Sequence, residues 1–162
     1  MLVRFTKNPL PAEADTLTCV RPDGSTTSMA LRRPGVLPHE AVHFVVEDAL
    51  GWHDALFGHV ARGELIEHVS ARLHGRNGQW AKITQALQSE ALVECLEADQ
   101  WGGASDPAEF AQKLVTACRR RGTSPPDITA DELARVRIAL REFGAAWRPL
   151  PAGGSLDRTF RT

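Results

Sequence analysis

The chain has 162 residues, 43% hydrophobic and 24% charged, with a formal net charge of −1. That composition predicts one globular domain spanning 1–162, long enough to bury a core of its own. Charge so close to balance argues against a nucleic-acid or anionic-membrane partner, and no apolar run reaches the length of a membrane span.

The first third of the chain reads as strands. Val3 and Phe5 alternate with polar neighbours, as do Leu17 and Cys19. Arg21-Pro22-Asp23-Gly24-Ser25 supplies a turn, with proline fixing φ early and glycine accepting positive φ late. Thr27, Met29 and Leu31 then alternate with Thr26, Ser28 and Ala30, which completes a hairpin stopped by Arg32-Arg33-Pro34-Gly35. From Pro38 the period becomes helical. Pro38 suits a helix start, and Gly51 suits the stop after Leu50. Val42, Val45, Val46 and Ala49 give that helix its apolar face. A second helix is expected from His53 or Asp54 to Arg62, and a short one from Glu64 to Leu73. The run His74-Gly75-Arg76-Asn77-Gly78 breaks the pattern.

Three longer helices follow. Trp80, Ile83, Leu87, Ala91 and Cys95 make the stripe of the first. The second opens at Asp106-Pro107-Ala108-Glu109, with Asp as cap and Pro at the first helical position, and buries Phe110, Leu114, Ala117 and Cys118. The third opens on a capping box, Thr129 to Glu132, and buries Leu133, Val136, Leu140 and Phe143. The tail leaves room for one strand over Leu156 to Phe160, returning to the N-terminal sheet. The expected fold is therefore α+β: a small antiparallel sheet packed on a layer of about five helices.

The stretch that carries chemistry is His39-Glu40-Ala41-Val42-His43, followed by Glu47. Steps of four place His39, His43 and Glu47 along one helical stripe. Two imidazoles and a carboxylate there suit a divalent transition metal, zinc before others. The same residues have a plain structural use: His39 at the helix start, His43 in the core, and Glu47 paired with either imidazolium.

His-Glu-x-x-His on a helix resembles the active-site helix of zinc metallopeptidases. That resemblance implies Glu40 as general base, with a downstream carboxylate, Glu64 or Glu67, as third ligand. The metzincin variant needs a third histidine where this chain has Ala49. Over nearly its whole length the chain also resembles a family of small uncharacterised bacterial proteins. The residues that carry this likeness are Arg21-Pro22-Asp23-Gly24-Ser25, His39 to Glu47 with Leu50-Gly51, then Trp147, Leu150-Pro151 and Gly153-Gly154. The family implies no activity. It implies that the Glu40 position accepts Asp or Glu, which favours Glu47 over Glu40 as the third working group.

Other candidates are weaker. His53 follows the motif helix after Trp52 and is a further ligand candidate, while His59, His68 and His74 are scattered. Cys19, Cys95 and Cys118 form an odd, widely spaced set, which suits reduced thiols. With no signal-peptide pattern in Met1 to Lys7, a cytoplasmic location is expected. Arg119-Arg120-Arg121 complements the macrodipole at a helix end. Phe44, Trp52, Phe57, Trp80, Trp101 and Trp147 are mostly core, with Trp101-Gly102-Gly103 an exposed contact; a homodimer is a separate expectation whose face the sequence does not locate. Three functions are open from the sequence: a metal-binding protein, a zincin-like hydrolase of a peptide or small molecule, and a metal-free interaction domain.

Overall fold

In the computed structural model, which describes residues 1–33, 36–74 and 83–161, four strands form one antiparallel sheet. They are β1 (Leu2–Thr6), β2 (Asp15–Val20), β3 (Thr26–Leu31) and β4 (Ser155–Thr159), in the order β3-β2-β1-β4. The period-two alternation sets the faces. Val3 pairs with Cys19 and Phe5 with Leu17, all four fully buried, and Leu156 joins them opposite Phe5. On the other face the Arg4 guanidinium grips Asp157 through Nε and Nη2, both at 2.7 Å, and Thr6 meets Ser155 at 2.8 Å. The β2–β3 turn closes as the residue types require. Gly24 takes φ 82°, and the Asp23 carboxylate accepts from the Ser25 amide.

Six helices among the described residues complete the fold: α1 (His39–Leu50), α2 (Leu56–Ala61), α3 (Ile66–His74), α4 (Thr84–Gly102), α5 (Pro107–Arg120) and α6 (Ala130–Trp147). The architecture is α+β. The α5 cap forms as expected, Asp106 accepting from the amides of Ala108 and Glu109, and so does the Thr129–Glu132 capping box of α6. The return strand begins one residue earlier than expected, at Ser155. Trp80, the break over 75–78 and the Pro34-Gly35 stop lie outside the described residues.

The position of α1 decides everything about the site. It packs against α4 on one side and α6 on the other, and seven consecutive residues, Ala41 to Glu47, are buried. A helix enclosed on all sides is normally apolar all round. Here Phe44 carries the aromatic core, edge-on to Phe5 at 5.8 Å and Phe57 at 5.5 Å, while His43 and Glu47 are sealed at 0% exposure. Two ionisable groups in that position require partners supplied by other elements.

Candidate metal centre

Glu47 finds its partners at the start of α2. Its Oε2 accepts from the Phe57 amide at 2.7 Å and its Oε1 from the Leu56 amide at 3.2 Å. The residue at the α2 cap position is Ala55, which has no side-chain oxygen to offer. A carboxylate from α1 therefore does the capping across space, satisfying two of the donors that a helix start leaves open. This also moves α2 to a later start than expected. Close packing requires Gly58 here, because a Cβ at that position would stand 1.9 Å from the His53 carbonyl oxygen.

The remaining capacity of Glu47 goes to His43. Nδ1 of His43 lies 3.3 Å from Glu47 Oε1 and 3.1 Å from Ser89 Oγ. The other ring nitrogen, Nε2, faces Glu90 Oε1 on α4 at 3.2 Å, within ion-pairing distance but off the line of a hydrogen bond. His39 repeats the arrangement one turn earlier. Its Nδ1 meets Glu97 at 2.9 Å and its Nε2 points toward Glu90 Oε2 at 4.0 Å. The two rings stack edge to face, 4.8 Å between centroids. His39, His43 and Glu90 each offer one ligand atom, and these three atoms lie within 4.8 Å of one another. Ligands about 2.1 Å from a tetrahedral ion stand roughly 3.4 Å apart. The His43–Glu90 pair has that spacing at 3.2 Å, and His39 Nε2 stands wider, 4.0 Å from Glu90 Oε2.

The electrostatics favour a cation. Burial alone lowers the basicity of His43, but Glu47 and Glu90 outweigh it and push the imidazole up to about 10. A proton on Nε2 sits where a metal ion would sit. Glu90 itself is 8% exposed and faces His43 from α4.

The structure brings His39 and His43 together as the spacing predicted. It does not bring Glu47 to the same side: Glu47 stands behind His43, at Nδ1, and its oxygens are taken by backbone amides. The carboxylate between the two histidines is Glu90. Glu64 lies elsewhere, bonded to His59 Nδ1 at 2.6 Å and paired with Arg72. Although burial acts to raise the Glu64 pKa, those two partners hold it below the usual range. Glu67 and Glu40 line an open cleft of about 760 Å³ that reaches the centre at His39, with Glu97 and Arg32 on the same wall. Among the described residues Glu40 makes no ion pair or hydrogen bond. His53 is exposed and packs on Phe160, ring centroids 5.9 Å apart.

Glu90 and Glu97 were not singled out by the sequence, yet a signal exists. Ala86, Glu90, Val93 and Glu97 recur at four- and three-residue steps, an acidic and small-apolar stripe on α4 facing the histidine stripe of α1. The three thiols play no part. Cys19, Cys95 and Cys118 are all buried and free, and burial pushes the first up to about 12 and the second to about 11. No helix among the described residues is long and apolar enough to cross a membrane. No family model, curated protein or solved structure matches this chain.

Proposed function

We propose that this chain is a metal-binding protein that holds one divalent transition metal, zinc before others, on His39, His43 and Glu90. One observation carries the reading. Both histidines are backed at Nδ1 by a carboxylate, Glu97 for His39 and Glu47 for His43, while both Nε2 atoms turn toward the same third carboxylate. A carboxylate behind each imidazole favours the tautomer with its lone pair on Nε2, and it raises the basicity of the ligand. Three protein ligands leave one position for water or substrate, the pattern of a reactive rather than a purely structural site.

A second reading builds on the first. Glu40 stands next to His39 on the wall of the cleft, where it would serve as general base for a water at the open position, making the protein a metallohydrolase.

Metal content of protein purified without an affinity tag tests the first reading. About one equivalent in the wild type, lost in both His43→Ala and Glu90→Ala, is the expected result. No metal after reconstitution with zinc, manganese, iron or nickel would overturn it and leave the cluster as core architecture of an interaction domain. Glu40→Gln then separates the two readings: metal is retained in either case, and hydrolysis is abolished only if Glu40 is the base.

A further inference from the structure

On another face of α4 from the one that meets the histidines lies a pocket of about 260 Å³ between α4 and α6. Its floor is apolar, from Val36, Leu37, Leu96 and Leu140. Its walls carry Asp99 and three arginines: Arg137, Arg141 and Arg148. The arginines recur with Gly144 at steps of four, three and four residues, so they share one face of α6 and the turn that ends it.

Only one of these cations is neutralised. Arg137 Nη2 pairs with Asp99 at 2.5 Å. Arg141 and Arg148 have no ion pair and no side-chain hydrogen bond among the described residues. Arg148 is not simply extended into solvent. Its guanidinium folds back over α6, where a Cβ on residue 144 would stand 3.0 Å from Nη1, so the bare glycine makes the seat in which it rests. Two buried nitrogens of lining residues, Arg137 Nε and Gln100 Nε2, find no acceptor among the described residues. Beyond Arg148 an adjoining groove adds Lys7, with Arg33 there already paired to Asp15 at 2.9 Å.

We propose that this pocket binds a small organic anion: a carboxylate or phosphate head held by Arg141 and Arg148, with a short apolar body on the leucine floor. The head supplies the acceptors that the arginines lack, in a concave site where charge-assisted hydrogen bonds are strongest. The apolar floor and the modest volume select a compact amphipathic ligand over a polymer or a bare ion. This site is independent of the metal centre, and its test keeps the two apart.

Isothermal titration calorimetry of the full chain with hexanoate, hexyl phosphate and hexylamine decides the matter. Each titration is run once on metal-stripped protein and once on zinc-loaded protein. At least one of the two anions is expected to bind with one equivalent in both states, and the tighter of the two identifies the head group. Hexylamine is expected not to bind. Arg141→Gln and Arg148→Gln are exposed changes, and each should weaken the anion about tenfold with an unchanged melting temperature. Absence of saturable heat with both anions would overturn the proposal. So would binding that survives the Arg141→Gln/Arg148→Gln double variant, or binding seen only with zinc, which would place the anion on the metal.

Discussion

Helix α4 has polar clusters on two faces, and they are unbalanced in opposite directions. Toward α1 stand three carboxylates, Glu47 of α1 with Glu90 and Glu97, set against the imidazoles of His39 and His43. Toward α6 stands Asp99, whose oxygens accept from the Ser105 amide and hydroxyl at 3.2 and 2.7 Å and from Arg137, with Arg141 and Arg148 left over. Among the described residues the first side is rich in carboxylates and the second in guanidinium groups. The overall charge of −1 conceals this, because bulk composition averages over faces that a single helix keeps apart. Like charge gathered in one concave site marks the sign of what that site is built to hold.

The contrast can be broken most forcefully at Glu47. Glu47→Ala leaves two buried amides and one face of His43 without an acceptor, and a loss of about 3–5 kcal/mol in urea unfolding is expected. A loss below about 1 kcal/mol would mean that the cluster is far more hydrated than its burial implies. Zinc should act in the other direction. At a hundredfold excess over its Kd, it should stabilise the wild type by about 2.7 kcal/mol and leave Glu90→Ala unmoved in the same calorimetric scan. Glu97→Gln tests the support behind His39. Glu97 is partly exposed, so the fold should be unaffected, while zinc affinity measured by chelator competition falls about tenfold or more.

The α6 side should answer to acid instead. Burial acts to raise the Asp99 pKa, but Ser105 and Arg137 outweigh it and hold the pKa below its ordinary value of 3.8. A carboxylate lowered in the folded state contributes stability that is present above the unfolded pKa and is lost as pH falls through the folded one. Urea midpoints measured from neutral pH downward should therefore decline below about pH 4, and Asp99→Asn should flatten that decline. An equal slope in the variant would show that other carboxylates carry the acid transition.

The elements that cap themselves were legible in the sequence. Asp106 and Thr129 announce α5 and α6 because cap and helix are adjacent in the chain, and the hairpin follows from its alternation and its Asp-Gly turn. The start of α2 was not legible, because its cap is Glu47, on the preceding helix. The pairing of His39 with His43 could be read from a four-residue step, but the third carboxylate of the centre could not. Glu90 reaches the histidines through packing of α4 on α1. Moreover, α4 is buried on more than one face, which blurs the periodicity that would have separated its stripes. Local chemistry was readable, and chemistry assembled across a helix interface was not.

The pairing of β1 with β4 sets the order in which this protein can assemble. β1 is a central strand whose two neighbours come from opposite parts of the sequence, β2 just after it and β4 beyond residue 154. Local contacts form quickly, whereas a strand pair separated by most of the chain must first close a very large loop. During synthesis the β1–β3 meander can form early, but it keeps one edge of β1 open until the ribosome has passed residue 159. For that interval the backbone groups of Leu2 to Thr6 are an unpaired template of the kind that recruits foreign strands. Slowing translation ahead of residue 155 should therefore raise aggregation, while α1 and its histidines wait beneath a sheet that is still one strand short.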